Sequence, residues 1–359
     1  MAEPPRTPAG AGRPPGSFDA QAQMLGNRVR KNFRKLKPGF DRRTVEVFRV
    51  YDRDIPEVRA VVDWYAGHAV LGEYARTQTE DEAYPAALAA AVASALEIPP
   101  GNVHFKQRRT RPAQAGGAKS GGVERYQRLA RTDQRLIVRE GSLRFLVNLD
   151  DYIDTGLFAD HRETRALVAA QSAGARFLNL FAYTGSFTCA AARGGAAKTT
   201  TVDVSASYLD WAKDNLALNA TPAAPAAAAS DGVTPDNAAR GAPRPDPGAH
   251  EFVKDDAREF LARAAREGRS YSLCVLDPPS FSTRDSGSFD VQRDHRALLE
   301  ETLRVIEPGG VLWFSTNHQR FEPKLAGLPA KSVTETTAQT VPVDYRNRQV
   351  HRSFRITAK

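Results

Sequence analysis

The 359-residue sequence is poor in cysteine: it has two, Cys189 and Cys274, and neither belongs to a Cys-x-x-Cys pair. Two such distant cysteines exclude a disulfide framework and a cysteine-based zinc site. The sequence also lacks any apolar run near the ~20 residues of a membrane-spanning helix. Acidic residues are in deficit, with 42 Asp and Glu against 50 Lys and Arg, which gives a net charge of +8. We therefore expect a cytoplasmic protein that has no membrane partner and binds a polyanion.

The N-terminal part of the chain changes character near residue 20. Residues 1–20 are rich in Pro, Gly and Ala and have no apolar core, so we expect a disordered tail and not a secretion signal. Residues 26–37 carry six basic side chains and no acid. Val29, Phe33 and Leu36 recur there at helical spacing, which predicts a basic amphipathic helix.

Residues 21–150 alternate between strand-like and helical patterns and predict a small α+β domain that begins with this helix. The expected elements are strands at 45–51, a hairpin over 59–74 turning at 66–67, a helix at 83–96, a strand at 103–106 and two strands between 135 and 149. A Gly-rich basic loop is expected at 108–122.

From residue 151 to 359 the hydrophobic pattern predicts a larger α/β domain. Five strand-like runs alternate with helical stretches, which favours a parallel sheet with crossover helices. These runs are 177–181, 199–204, 251–254, 272–276 and 311–316. Residues 221–250 interrupt the pattern with Ala, Pro and Gly, and we expect a disordered surface insertion there.

The segment from Phe177 to Ser186 reads as a buried strand followed by a tight loop that opens a helix. Asp203 ends the next strand, 18 residues after Gly185, close to the ~20-residue offset of an acid that binds a ribose. The loop has one glycine, whereas a dinucleotide fingerprint has three so that the backbone can approach a pyrophosphate. A cofactor with ribose and adenine but no phosphate needs no such approach. We therefore predict S-adenosylmethionine over a nicotinamide cofactor.

Further carboxylates follow the later strands, at the edge where ligands bind in such sheets. Asp203 is predicted to bind the ribose hydroxyls, and Asp255 or Asp256 the adenine amino group. We choose Asp256 because the small Ala257 beside it leaves room for the ring. Asp277 would face the amino-acid moiety of the cofactor or the target base. For any one of these acids, a role as a turn former or helix N-cap is the alternative.

Asp277 begins the segment Asp-Pro-Pro-Ser-Phe, which ends at Phe281. Pro278 and Pro279 fix φ near −65° and would make this loop rigid. A rigid loop suits a planar base, and Phe281 would offer a face for stacking. The alternative is an ordinary Pro-Pro turn with a core phenylalanine.

Four segments in this order resemble one family, the C-terminal, guanine-N7 half of the bifunctional bacterial 23S ribosomal RNA methyltransferase. They are DTGLFADHR (154–162), NLFAYTGS (179–186), DPPSF (277–281) and FDVQRDH (289–295). NRVRKN (27–32) and RNRQVH (346–351) resemble that half as well. The resemblance implies a class I methyltransferase, Rossmann-like with a mostly parallel seven-stranded sheet, preceded by a small α+β domain. It implies methyl transfer to N7 of a guanine in 23S ribosomal RNA.

These motifs and the strand-end acids together supply the expected site residues. The cofactor contacts are Phe158, Asn179, Phe181, Tyr183, Thr184, Gly185, Ser186, Asp203, Ser205, Asp256, Ala257 and Asp277. The catalytic set is Asp277, Pro278, Pro279 and Phe281. The RNA contacts are Arg28, Arg30, Lys31, Arg34, Lys35, Arg108, Arg109 and Arg111. No metal is expected, because His161 and His295 have no close ligand cluster in the sequence.

Other reactions remain as alternatives. Methylation at cytosine C5 needs a cysteine nucleophile, and the late strand at 311–318 has none. The methylated atom could instead be N2 of guanine, or the substrate could be another RNA. The chain could also be a non-catalytic RNA-binding assembly factor. The expected partner is 23S RNA or the assembling large subunit. The usual protein of the family has a further N-terminal RNA-binding region and an N2-methyltransferase; we expect neither here, and a separate protein would supply those functions.

Overall fold

The computed structural model describes residues 17–75, 83–109, 129–220, 249–284, 287–345 and 349–359. Contacts divide the chain into two compact units. The first takes residues 1–39 and 49–113, and the second takes residues 40–48 and 114–359. The predicted insertion at 221–250 lies outside the described residues except for 249 and 250.

The chain's first described element is a helix, α1 (Ser17–Arg42), which is longer at both ends than the predicted 26–37. Ala22, Leu25 and Val29 are buried and continue one apolar face toward the N-terminus. Gly26 lies where the helix passes α2 (Ala83–Leu96), since a Cβ there would be 3.3 Å from the Ala91 carbonyl oxygen. The predicted tail at 1–20 is therefore wrong for residues 17–20, which are helical.

The first unit also contains a four-stranded sheet in the order β1-β2-β3-β4. The strands are β1 (Val47–Asp52), β2 (Ala60–Tyr65), β3 (His68–Ala75) and β4 (Val103–Arg109). The predicted hairpin is confirmed, because β2 pairs antiparallel with β3 across Ala66 and Gly67, both at positive φ. β3 and β4 are parallel, and the alanine-rich α2 connects them. β4 runs three residues beyond the predicted strand.

The hairpin β5 (Leu136–Glu140) and β6 (Leu143–Val147) belongs to the second unit. Trp211 Nε1 donates to the Leu146 carbonyl oxygen at 3.0 Å, and the Leu146 N–H donates to Asn215 Oδ1 at 2.8 Å. The sequence placed this hairpin in the small domain that ends at residue 150, so contacts divide the chain differently from that prediction. The division reflects side chains that reach the hairpin from about 70 residues further along.

A buried ion pair holds the same hairpin. Arg165, whose side chain is 1% exposed, donates to Glu140 Oε1 at 2.7 Å and to Oε2 at 2.6 Å. Two parallel N–H bonds to one carboxylate fix the geometry of both side chains. Breaking such a buried pair leaves an uncompensated charge, which generally costs about 3–5 kcal/mol.

The second unit is built on a seven-stranded sheet in the order β14-β15-β13-β10-β7-β8-β9. In chain order its strands are β7 (Arg176–Leu180), β8 (Lys198–Asp203), β9 (His250–Lys254), β10 (Tyr271–Leu276), β13 (Ile306–Thr316), β14 (Ala330–Glu335) and β15 (Arg352–Ala358). β13, β10, β7, β8 and β9 are parallel, and β15 is antiparallel to both of its neighbours. The predicted α/β fold with a mostly parallel seven-stranded sheet is confirmed.

Helices cover this sheet, and a second hairpin follows β10. The helices are α3 (Arg162–Ala170), α4 (Ser186–Arg193), α5 (Ala206–Ala220), α6 (Ala257–Arg266), α7 (Val291–Leu303) and the short α8 (Thr337–Thr340); the hairpin is β11 (Phe281–Arg284) with β12 (Gly287–Asp290). Leu178, Leu276 and Phe314 on the central strands are buried, as expected of strands covered on both faces. Among the described residues, no helix is both long and apolar enough to span a membrane.

The strand order reverses between β7 and β10. From β7 the chain crosses to β8 and β9 on one side, whereas β10 and β13 lie on the other. Ligands of open α/β sheets bind at the carboxyl ends of the strands at such a switch point. We therefore expect a ligand to bind at the loops that follow β7, β8, β9 and β10.

Gly156 offers a test of how the second unit is packed. It has φ +97°, and a Cβ there would lie 2.3 Å from Trp211 Cζ2. Gly174 is also at positive φ, +70°, but has open space around it. We expect Gly156→Ala to lower the free energy of unfolding by about 3 kcal/mol, and Gly174→Ala by about 1 kcal/mol. Urea denaturation measures both, and equal losses would contradict the packing described.

Candidate active site

The loop after β7 has an unusual backbone that one carboxylate holds in place. Phe181 and Tyr183 have positive φ values of 56° and 50°, which side-chain-bearing residues seldom adopt. The Tyr183 N–H donates to Asp203 Oδ2 at 2.9 Å, and the Ser205 N–H donates to Asp203 Oδ1 at 2.9 Å. Asp203 therefore connects the loops after β7 and β8.

The underside of this loop is closely packed. Gly185 has φ +73°, and a Cβ there would lie 2.6 Å from Ala212 Cβ on α5. Thr184 is buried and its hydroxyl donates to the Gly156 carbonyl oxygen at 2.6 Å. Asn215 on α5 donates to the Thr184 carbonyl oxygen at 2.9 Å. Thr184 and Gly185 thus shape the loop from beneath and do not line the cavity above it.

A cavity opens at the carboxyl ends of β7, β8, β9 and β10, within the second unit. Most of the predicted cofactor and catalytic residues line it: Phe158, Phe181, Tyr183, Ser186, Asp203, Ala257, Asp277, Pro278 and Pro279. Eleven further lining residues were not predicted as site residues, and among them are Asp154, His161, Tyr208, Asp255 and Asn317. The rings of Phe158, Tyr183 and Tyr208 form one aromatic wall, with Tyr183 4.6 Å from Tyr208 and 5.2 Å from Phe158.

The two acids after β9 lie in different surroundings. Asp256 is the N-cap of α6, where its carboxylate accepts the Arg258 N–H at 2.8 Å, and it lines a separate depression. Asp255 lines the main cavity and forms an ion pair with Arg263 at 2.6 Å. Asp255, and not the chosen Asp256, therefore lines the cavity, while the binding of adenine by either acid stays a prediction. The helix-cap alternative applies to Asp256.

Three other predicted residues do not line the cavity. Asn179 is buried in β7 and donates to Thr188 Oγ1 at 3.0 Å. Ser205 contributes its backbone N–H to Asp203. Phe281 begins β11, with its side chain 43% exposed, beyond the loop whose Asp277 and two prolines line the cavity. A stacking role for Phe281 stays a prediction.

Asp277 lies next to two stacked histidines, His161 and His351, whose proximity is not predicted from the sequence. Its Oδ1 accepts the Ser315 hydroxyl at 2.6 Å, and its Oδ2 lies 3.4 Å from His161 Nε2. His161 stacks on His351, with ring centroids 4.5 Å apart and planes 10° from parallel. Burial lowers the pKa of the His161 imidazole, although Asp277 and Asp160 oppose this. The neutral imidazole is therefore favoured at neutral pH.

Asp160, His161 and His351 have candidate ligand atoms within 4.8 Å of one another. Their geometry does not favour a shared ion, since a metal lies in the plane of each imidazole that binds it and these two planes are nearly parallel. His351 Nδ1 instead lies 3.2 Å from Asp160 Oδ2, a direct hydrogen bond. The predicted absence of a metal stays a prediction.

The predicted RNA contacts lie in the first unit. Arg28, Lys31, Arg34 and Lys35 are exposed on α1, and Arg30 is half-buried. Arg28 approaches Asp54 at 3.5 Å, whereas Lys31, Arg34 and Lys35 form no ion pair with the described part of the chain. Arg108 and Arg109 end β4, and their side chains are not described; Arg111 lies outside the described residues.

Comparisons with known proteins agree with this arrangement. A family model described as S-adenosylmethionine-dependent methyltransferase matches residues 46–227. Ribosomal RNA large subunit methyltransferase K/L of Allochromatium vinosum is 39% identical over 349 residues, which are 94% of this chain and 43% of that protein. Ribosomal RNA large subunit methyltransferase K of Neisseria meningitidis serogroup B is 36% identical over 93% of this chain and 87% of its own length.

The chain thus spans less than half of the K/L relative but most of the K relative, so the resemblance is not confined to one half of a bifunctional protein. Among solved structures, the methyltransferase SMU.776, complexed with SAH, superposes with a TM-score of 0.68 at 19% identity. That match covers 94% of this chain and 82% of the other, and it supports the fold.

The two acids after β9 give a matched pair of variants. We expect Asp255→Ala to weaken binding of S-adenosylhomocysteine about tenfold, the effect of losing roughly 1.4 kcal/mol from a contact in the cavity. Asp256→Ala should leave that affinity unchanged and lower the free energy of unfolding by about 1 kcal/mol, because α6 loses its cap. Calorimetry and thermal denaturation separate the two effects. Weaker binding by Asp256→Ala alone would restore the prediction made from the sequence.

Proposed function

The chain belongs to the S-adenosylmethionine-dependent methyltransferases, and on that premise we propose that it methylates N7 of a guanine in 23S ribosomal RNA. Two relatives named for the large-subunit ribosomal RNA support the RNA substrate. The observation that argues against C5 methylation is the burial of both cysteines. Both cysteines are buried, and burial raises the pKa of Cys189 to about 12 and that of Cys274 well above its usual value. A thiolate for C5 chemistry is therefore not available.

The cavity has the donor and acceptor groups that the cofactor needs. Asp203 ends β8, Asp255 follows the adjacent β9, and both line one cavity, where they would hold the ribose hydroxyls and the adenine amino group. Ala257, the first residue of α6, leaves space for a flat ring, and Phe181 and Tyr183 supply apolar surface. When bound there, S-adenosylmethionine supplies an electrophilic methyl group.

Asp277, Pro278 and Pro279 form the substrate end of the same cavity. N7 of guanine has an in-plane lone pair and no proton to remove, so the protein's task is mainly to position the base. The two prolines give the loop a fixed shape for that task. The purine becomes positively charged when N7 is methylated, and the Asp277 carboxylate would stabilise that charge.

N7 of a guanine in an A-form helix faces a groove too narrow for protein side chains. The target base must therefore leave its stack, and Tyr183 or the exposed Phe281 would receive it. The first unit would bind the surrounding phosphates, chiefly through Lys31, Arg34 and Lys35 on α1. These three are exposed and carry positive charge that no described acid neutralises.

The test of the reaction uses purified protein, radiolabelled S-adenosylmethionine and 23S RNA from a strain that lacks the modification. Borohydride reduction followed by aniline cuts an RNA chain at N7-methylguanine. We expect methyl incorporation and a single cut. Incorporation without a cut would contradict N7 as the methylated atom, and binding of the cofactor without incorporation on RNA or on assembling large subunits would contradict an rRNA methyltransferase.

The role of α1 predicts a change in salt dependence. Replacing Lys31, Arg34 and Lys35 together by Ala should reduce the slope of log affinity against log salt by about 2 to 3, close to 0.7–0.9 for each lost phosphate contact. The control replaces the exposed Lys198, Lys213 and Lys331 of the second unit by Ala, which removes the same charge. RNA binding is measured by filter retention at several salt concentrations. Equal slopes for the two triple variants would show that total charge, and not α1, determines the affinity.

A further inference from the structure

The Asp277 carboxylate is held by two side chains that lie outside its own loop. Ser315 on β13 donates to Oδ1 at 2.6 Å, and His161 Nε2 lies 3.4 Å from Oδ2. The second distance is long for a hydrogen bond, but contacts of this kind commonly shorten when the substrate binds. His161 is nearly buried, with its side chain 6% exposed, whereas that of Asp277 is 26% exposed toward the cavity. The carboxylate is therefore contacted by Ser315 and His161 on one side and exposed to the cavity on the other.

His161 is itself fixed by a column of contacts. Its ring stacks on His351 and meets the edge of Phe187, with centroids 5.6 Å apart. His351 is 1% exposed and is bonded on both sides, to Asp160 through Nδ1 and to Thr340 Oγ1 through Nε2 at 3.1 Å. Such packing fixes the plane of the His161 ring, and in the structure Nε2 lies toward Asp277.

The surroundings also determine where the His161 proton lies. Nδ1 is buried and has no hydrogen-bond partner among the described residues, while Nε2 faces a carboxylate oxygen. The neutral tautomer with its proton on Nε2 satisfies this arrangement. Four groups act on the ring: Asp277 and Asp160 favour its protonated form, and His351 and Arg165 oppose it. Burial outweighs them and lowers the pKa, so the neutral ring can present an N–H to Asp277 without adding a positive charge.

Resting on the methyl transfer proposed above, we propose that His161 is a positioning residue that orients the Asp277 carboxylate toward the target base. A neutral donor keeps the negative charge of Asp277 intact, so the carboxylate can stabilise the base as it becomes cationic. A protonated His161 would instead neutralise that charge. No proton moves during the reaction: His161 keeps its N–H, which orients the Asp277 carboxylate.

The test is a double-mutant cycle on the rate of methyl incorporation in a single turnover, with enzyme in excess over RNA. His161→Phe keeps an aromatic ring between His351 and Phe187 but removes the donor. His161→Gln places an amide N–H near the position of Nε2. We expect His161→Phe to lower the rate at least about tenfold and His161→Gln to remain within about threefold of wild type. Affinity for S-adenosylhomocysteine should change less than about twofold in both, as a check of folding.

The cycle identifies the partner. In an Asp277→Asn background, His161→Phe should change the rate by less than about twofold, because residues that act through one group are not additive. His295→Phe is the matched control, since His295 is a buried histidine on α7 outside the cavity lining. It should leave the rate unchanged in either background.

Additive effects of His161→Phe and Asp277→Asn would overturn the inference, as would a wild-type rate in His161→Phe. If His161→Phe does not fold, His161→Asn takes its place, because its shorter side chain ends at the position of Nδ1 and cannot reach Asp277. Incorporation is measured without regard to the atom methylated. An active wild type that gives no aniline cut therefore refutes N7 methylation while the cycle still tests His161.

Discussion

The carboxylate of Asp203 accepts backbone N–H bonds from two loops, and the rest of the cavity depends on this pair of contacts. Phe181 and Tyr183 adopt left-handed backbone conformations that each cost about 1–2 kcal/mol. A hydrogen bond to a charged acceptor contributes about 1.5–3 kcal/mol, which is enough to offset such a cost. The loop after β7 can therefore take a shape that its own sequence disfavours. The same acid then faces the cavity that this shape creates.

Four carboxylates near the cavity have four different sets of contacts. Asp203 fixes a loop, Asp255 lines the cavity beside an arginine, Asp256 caps a helix, and Asp277 lines the cavity between a serine and a histidine. Each carboxylate ends or closely follows a strand of the parallel sheet, so the chain brings all four to one edge. What differs between them is the partner that the next element supplies. That partner determines whether an acid remains directed toward the cavity.

Much of this could be predicted from the sequence because the signals are local. The alternation of strands and helices predicts the parallel sheet, and the spacing between Gly185 and Asp203 predicts the first two loops of the site. Asp255 and Asp256 could not be distinguished, because the choice depends on which residue begins α6, a boundary that pattern alone does not resolve. The contacts of Ser315 and His351 could not be predicted at all. They join residues 38 and 191 positions apart, and no spacing in the sequence reports such a pairing.

A crystal structure of the protein with S-adenosylhomocysteine tests this account. The account predicts that both ribose hydroxyls lie within hydrogen-bond distance of the Asp203 carboxylate and that the Tyr183 and Ser205 N–H groups still donate to it. The adenine would lie beside Asp255 and Ala257, away from Asp256. A ribose held by other residues, or a loop that leaves Asp203 when the ligand binds, would contradict the account.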